Sequence, residues 1–327
     1  MNLERRDFLK VLSTGAATAA GLSTLQARTI KSLPANAKGI LYDATLCIGC
    51  RACEVACKRI NNMPPDVNSP LEKEHDVSGI WDTGDLSETT LNKIQAYRNG
   101  TGETKDQITD GYGFIKRACM HCVDPDCVSA CPVTALEKQP DTGIVTYNKD
   151  ACIGCRYCQI ACPYNIPKFE FGDPIPEIVK CEMCAHVQAD GGIPGCCDFC
   201  PTGASLFGSV SDLLTEAKRR LGLTEGDKYA YPVSTLNGET KPRNAKQYVN
   251  YIYGENESGG TQYLILSAIP FEKLGLPSLS NTSSAVKSET IQHTTYKGFI
   301  APVVLLGGLL YAAHRSVKDH HEEGGTQ

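Results

Sequence analysis

The sequence predicts an α+β fold: paired cysteine-loop domains of the ββα type, carrying insertions and followed by one C-terminal transmembrane helix. Three observations predict it. The stretch "CIGCRACEVACK" from Cys47 returns as "CIGCRYCQIACPYN" from Cys152. The stretches "GILYDATLC" and "GIVTYNKDAC" each place a short strand-like run ahead of one copy. Near the C-terminus, Gly298 to Ala313 holds sixteen residues without a charge.

Composition narrows the class. The chain has 327 residues, enough for one large domain or two smaller ones. Hydrophobic content of 41% and charged content of 21% are ordinary for a globular protein. A net charge of −5, with no basic stripe, excludes nucleic acid as a partner. Cysteine is the anomaly, at 17 residues. So many thiols leave a disulfide scaffold, a zinc protein or an iron–sulfur protein. Spacing chooses among them.

The first element, residues 1–27, reads as a signal peptide. Charge gathers at Glu4, Arg5, Arg6, Asp7 and Lys10, and an Ala/Thr/Gly-rich stretch runs from Val11 to Leu25. "LQA" at Leu25–Ala27 supplies a small-residue cleavage site. "RRDFLK", with Arg5 and Arg6, resembles the twin-arginine export signal, although Glu4 stands where Ser or Thr is usual. That route carries folded proteins, as a protein loaded with metal in the cytoplasm requires.

The body, residues 28–210, holds four cysteine groups. They are Cys47, Cys50, Cys53 and Cys57; Cys119, Cys122, Cys127 and Cys131; Cys152, Cys155, Cys158 and Cys162; and Cys181, Cys184, Cys196 and Cys200. The first and third have the spacing C-x2-C-x2-C-x3-C, the bacterial ferredoxin run for a 4Fe–4S cluster. A cubane has four iron corners, each wanting a thiolate. Three closely spaced cysteines wrap three corners, and the fourth reaches a different cluster. One run therefore pairs with another, and four groups imply four 4Fe–4S clusters. Sixteen cysteines are used and Cys197 is left over. Cys196 keeps the C-x3-C ending with Cys200; Cys197 breaks it. Zinc sites show two separated C-x2-C knuckles rather than three cysteines in seven residues. The first group lacks the proline that follows Cys131, Cys162 and Cys200; Lys58 stands there. Arg117, Arg156, Lys168 and Lys180 could offset the negative charge of clusters and thiolates, and His121 could tune a potential by a hydrogen bond; the readings preferred are solvated surface and an ordinary loop residue.

The remaining elements follow in order. The insertion 59–111 is polar and contains the single Trp, Trp81; a partner-docking segment and a plain long loop are equally compatible with it. In the extension 211–292, "SDLLTEAKRRL" predicts a helix from Ser211 to Leu221, capped by Ser211 or Asp212. "TQYLILSAI" predicts a strand over Thr261–Ile269, and Ser278–Ser288 reads as a linker. Residues 293–315 are expected to be a membrane anchor, with Tyr296, Lys297, Tyr311 and Arg315 at its interfaces. Arg315 and Lys318 place the tail, 316–327, in the cytoplasm. No Ser–His–Asp set, phosphate loop or dinucleotide fingerprint occurs, so no catalytic residue is predicted.

These groups, in this order, resemble the four-cluster ferredoxin subunits of membrane-bound oxidoreductases. Within them, "RRDFLK", "LYDATLCIGCRAC", "CMHCVDPDCVSACPVTAL", "GCRYCQIACPYNIPK", "SGGTQYLILS" and "SETIQHTTYKG" resemble the family of the hydrogenase-2 iron–sulfur subunit. The resemblance implies that Cys47, Cys50, Cys53 and Cys200 hold one cluster and Cys57, Cys181, Cys184 and Cys196 a second. It implies Cys119, Cys122, Cys127 and Cys162 for a third, and Cys131, Cys152, Cys155 and Cys158 for a fourth. The implied role is to relay electrons from the small subunit of a nickel–iron hydrogenase, partnered by its large subunit, to an integral membrane quinone-reducing subunit on the periplasmic side of the bacterial inner membrane. An equivalent subunit of a formate dehydrogenase or other molybdenum oxidoreductase is the alternative.

Overall fold

The computed structural model describes residues 29, 31–65, 84–172, 174 and 176–323. The expected signal segment with Arg5 and Arg6, and Trp81, lie outside them. Ile30–Ala285 forms one compact unit, and a second holds Val286 onward. Every cysteine is in the first.

Strand β1 (Lys38–Asp43) feeds the first cysteine loop, and helix α1 (Ala52–Ile60) leaves it. The insertion adds β2 (Lys93–Arg98) and β3 (Thr104–Lys105), which flank β4 (Gly111–Arg117). No periodicity in the sequence announced these strands. Helix α2 (Asp126–Ser129), the hairpin β5 (Leu136–Lys138) and β6 (Val145–Tyr147), and helix α3 (Tyr157–Ala161) surround the second and third groups. The hairpin β7 (Lys168–Phe169) and β8 (Ile178–Val179) and helices α4 (Ala185–Ala189) and α5 (Gly195–Asp198) complete the cysteine body. Strand β9 (Ser205–Ser209), helix α6 (Val210–Leu221), strands β10 (Lys228–Pro232), β11 (Ser234–Thr235), β12 (Thr240–Asn244) and β13 (Tyr263–Leu266), and helix α7 (Ser284–Glu323) follow. The fold is mixed α and β, with ferredoxin-like cysteine loops.

One four-stranded sheet organises the body, in the order β11-β9-β1-β13. β1 pairs antiparallel with β9 and parallel with β13, Ile40 opposite Tyr263. Side chains alternate across a strand, and here both faces are buried. Ile40, Tyr42, Phe207, Tyr263 and Ile265 join the core that also holds Cys47, Cys53, Cys119 and Cys196. Leu41, Leu206, Leu264 and Leu266 pack on the other side against Leu213 and Ala217 of α6. The expected strand Thr261–Ile269 is therefore shorter than its apolar run. The run extends past the pairing because its flanks are buried in loops.

The cap of α6 is Ser209, not Ser211 or Asp212. Its Oγ accepts the Asp212 N–H at 3.2 Å, because β9 runs straight into the helix. A Ser in this place satisfies one of the free N–H groups of the first turn. The stretch expected as a linker is docked at its end: Ser283 and Ala285 are buried, and the Ala285 N–H donates to Asp126 Oδ1 at 2.5 Å.

The expected transmembrane helix, residues 293–315, falls within α7, a helix of 40 residues. Yet among the described residues no helix is long and apolar enough to cross a membrane. The uncharged run of sixteen residues rises about 24 Å at 1.5 Å per residue, short of a hydrocarbon core of about 30 Å. Gly307 and Gly308 dilute its hydropathy further.

Candidate cluster-binding site

Each cysteine loop turns on left-handed residues placed alike. Gly49 and Arg51 (φ 72° and 57°) flank Cys50, and Gly154 and Arg156 (φ 67° and 61°) flank Cys155. His121 (φ 46°) precedes Cys122, and Met183 and Cys184 (both φ 51°) stand together. Left-handed backbone costs a non-glycine residue roughly 1–2 kcal/mol, and such strain gathers at functional sites. In the first, third and fourth loops the turn folds back on the first sulfur. The N–H groups of Gly49, Gly154 and Met183 donate to Cys47, Cys152 and Cys181 Sγ at 3.5, 3.4 and 3.3 Å. The Ala135 N–H donates to Cys131 Sγ at 3.2 Å.

The missing proline in the first group has a visible effect. Helix α3 stops at Ala161, because a residue before proline avoids the helical region. With Lys58 in place of proline, α1 runs on through Cys57 to Ile60. Cys57 thus sits inside a helix, and Asn61 Nδ2 donates to its carbonyl at 2.8 Å.

Several of these sulfurs are near neighbours, and their charges act on one another. Burial raises most of these thiols, and the charge of neighbouring sulfurs adds to the effect. Cys47 is pushed up to about 11 by burial, with Cys200 adding, and Cys53 is raised by burial and by Cys47. Cys50 lies exposed on the same loop. Cys57, at about 12, is raised by burial and then by Cys196 and Cys184. Cys181 is raised by burial and by Cys57, Cys196 and Cys184. Cys122 is raised by burial and by Cys119, Cys127 and Cys162. Cys158, at about 11, is raised by burial and by Cys131, Cys152 and Cys155. Three further influences link one set to the next: Cys196 on Cys53, Cys119 on Cys181, and Cys158 on Cys127.

Cys197 has no exposed surface. Its neighbour Cys196 is held below the ordinary thiol value, chiefly by Cys197, with Lys116 assisting against burial. The partner Cys197 is raised by burial first and by Cys196 next.

The residues fit 4Fe–4S clusters in their chemistry. Each cysteine group offers four thiols in sequence, backbone N–H groups point at sulfur, and buried lysines stand near the thiols. Among the described residues no three His, Cys, Asp or Glu side chains come close enough to share a single metal ion. One zinc ion, with bonds of about 2.3 Å, would draw its four thiolates to about 3.8 Å of one another. A cubane keeps them farther apart, one on each iron corner.

Two lysines depart from a surface reading, while Arg156 is exposed as expected. Lys180, expected at the solvated surface, is buried and donates to the Val145 carbonyl at 2.5 Å. Lys116, not singled out at all, is buried against Ser205 Oγ at 3.1 Å. Burial alone would lower its pKa; the charge of Cys196, Tyr263, Cys53 and Cys197 outweighs that and raises it. Lys138 donates to the Cys122 and Gly143 carbonyls at 2.9 and 2.6 Å. Its pKa is lowered to about 8 by burial, against the charge of Cys122 and Cys119. Arg156 stacks on Phe169 and Phe171, Arg117 donates to the Tyr164 and Gly275 carbonyls, and Lys168 pairs with Asp85 at 3.2 Å. His121 is not an ordinary loop residue either: it is 1% exposed. The available signal was a lysine closing the apolar run "GFIK" just before a cysteine loop.

Comparison with known proteins agrees with this chemistry. Residues 111–210 match a family described as a 4Fe–4S dicluster domain. Fold, loops and match together define an iron–sulfur protein of the ferredoxin type, and it carries 4Fe–4S clusters. The chain is 44% identical to the hydrogenase-2 operon protein HybA of Escherichia coli O157:H7, over 99% of this chain and 98% of that protein. It is 29% identical to the formate dehydrogenase iron–sulfur subunit of Haemophilus influenzae, over 98% of this chain and 94% of that protein. It is 33% identical to the nitrate-inducible formate dehydrogenase iron–sulfur subunit of Escherichia coli K12, over 71% of each. The chain belongs to the HybA family.

Proposed function

We propose that this chain is the electron-transfer subunit of a hydrogenase-2 type complex, relaying electrons through four 4Fe–4S clusters from the nickel–iron hydrogenase small subunit to an integral membrane quinone-reducing subunit. Four cysteine groups in ferredoxin-type spacing, together with the 4Fe–4S dicluster match, carry the reading. The 44% identity to HybA favours hydrogenase over formate dehydrogenase as the partner.

Bound clusters supply one-electron couples held by thiolates. Cys47, Cys50, Cys53 and Cys200 hold the first cluster; Cys57, Cys181, Cys184 and Cys196 the second. Cys119, Cys122, Cys127 and Cys162 hold the third; Cys131, Cys152, Cys155 and Cys158 the fourth. The protein's own part is to fix the sulfurs, exclude water and offset charge. Lys116 serves the first and second sets, and Lys138 the third. With all sixteen cysteines engaged, no iron corner is open to a substrate, so the subunit is not catalytic. Arg5 and Arg6 mark twin-arginine export, and α7 holds the chain to the periplasmic side of the inner membrane. The exposure of Val303, Leu306, Leu310 and Tyr311 on that helix supports the attachment.

The test is deletion of the chain. Hydrogen-dependent quinone reduction in membranes should be abolished, while hydrogen oxidation with an artificial dye, which draws electrons upstream, should largely survive. Intact hydrogen-dependent quinone reduction with failed formate oxidation would assign the chain to a formate dehydrogenase instead.

A further inference from the structure

The second cysteine loop carries one polar group that neither packing nor ligation uses. The His121 Nδ1 accepts the Val145 N–H at 3.1 Å. In a neutral imidazole the proton then sits on Nε2. That Nε2 is buried and has no hydrogen-bond partner. A buried donor left unmade is costly, and each such group calls for an explanation.

His121 lines an enclosed cavity whose wall holds the thiols Cys57, Cys181, Cys184 and Cys196. Those four are the second cluster's proposed ligands. Of the third cluster's ligands, which share the His121 loop, only Cys119 reaches this wall. Lys116 lies across the same cavity. The imidazole thus belongs by sequence to one cluster and by position to the next.

We propose that the His121 Nε2–H donates a hydrogen bond to a sulfur of the cluster held by Cys57, Cys181, Cys184 and Cys196, and so tunes that cluster from its neighbour's loop. The inference rests on the four-set reading above. A donor to cluster sulfur favours the more negative, reduced state and raises the potential. Cys181 of the second proposed set and Cys119 of the third line this same cavity with His121, so the donor stands between the two.

The test uses the purified complex with His121→Asn. Asparagine tolerates left-handed backbone, and its side-chain oxygen can still accept the Val145 N–H, but it has no donor at the reach of Nε2. Cys57→Ser, which alters the second centre, assigns that centre's signal in redox titrations followed by EPR. With all iron retained, the oxidised-to-reduced ratio of that centre at a fixed potential should rise about tenfold, or about 59 mV for a one-electron couple. The other three centres should not move. No shift in the second centre, or a shift in the third instead, overturns the inference while leaving the relay intact. A wild-type iron content near eight overturns the four-set reading itself. If His121→Asn loses iron, the decision passes to histidine-15N-labelled protein carrying His186→Gln, which removes the exposed imidazole after Cys184. A nitrogen coupling on the second centre by pulsed EPR supports the donor; its absence refutes it.

Discussion

Arg220 Nη1 lies 2.9 Å from Asp43 Oδ2, and neither side chain has any exposed surface. The two are 177 residues apart in sequence. Asp43 ends β1 just ahead of the first cysteine loop, and Arg220 sits in the last turn of α6. The other Arg220 contacts complete the clamp: Nε donates to Glu216 Oε1 at 2.8 Å, and the guanidinium stacks 5.0 Å from the Tyr231 ring. Asp43 is equally engaged, taking the Thr45 N–H at 3.1 Å and the Tyr248 hydroxyl at 2.8 Å.

Arg220→Met should therefore destabilise the body by about 3–5 kcal/mol, since it leaves buried carboxylates without their cation. Adding Asp43→Asn should cost less than the sum of the two single changes, because the partners share one network. Unfolding of a cluster protein is irreversible, so the readout is a rate, iron release in denaturant. Strict additivity in that rate would show that the pair is not coupled.

Cys196 and Cys197 should differ sharply. Replacing Cys197 by Ala should leave all four clusters in place and cost about 1 kcal/mol or less of packing, as a small buried side chain is trimmed. Replacing Cys196 by Ser should lose or convert one cluster, unless Cys197 moves in, a case the double variant separates. Iron content and EPR of reduced protein check both. Cluster loss in the Cys197 variant with retention in the Cys196 variant would reverse the assignment.

Gly49 and Gly154 occupy the same place in the repeated loop, yet their substitutions should not be equal. A Cβ on Gly49 would meet Phe114 Cε1 at 2.5 Å, whereas one on Gly154 meets Phe169 at an ordinary 3.7 Å. Both carry the left-handed penalty of about 1–2 kcal/mol. Gly49→Ala adds overpacking of about 1–3 kcal/mol. Thermal loss of cluster absorbance should come several degrees earlier in Gly49→Ala than in Gly154→Ala.

Changing Arg5 and Arg6 together to Lys keeps charge but removes the forked guanidinium geometry. Iron-loaded chain should then accumulate in the cytoplasm, seen by fractionation and protease protection. Normal periplasmic exposure of that variant would remove the twin-arginine assignment.

The cysteine loops were legible because their chemistry is local. Cys47 to Cys57 and Cys152 to Cys162 need few residues, and the spacing states the ligand geometry directly. β1 and α6 were legible for the same reason: each carries its own period and termination signal. What could not be read depends on partners far away in sequence. Lys116 and Lys180 look like surface lysines until β9, β6 and the sulfurs close around them. His121 gains its meaning from Val145 and from thiols of other groups. β2 and β3 hide in a polar insertion because they are stabilised by pairing with β4 rather than by an apolar period. α7 was legible as a helix, but its uncharged run is short of a full membrane span.

The pairing of β1 with β13 also imposes a timetable on synthesis. Ile40 meets Tyr263, roughly 220 residues later in the chain. At about 5–20 residues per second, a ribosome needs about 10–45 s between the two. Throughout that interval all seventeen cysteines can emerge while one edge of the central sheet still lacks its neighbour. Every thiol thus leaves the ribosome before the last strand can complete the sheet, and a message truncated after β9 would yield a chain with every cysteine and no β13 beside β1.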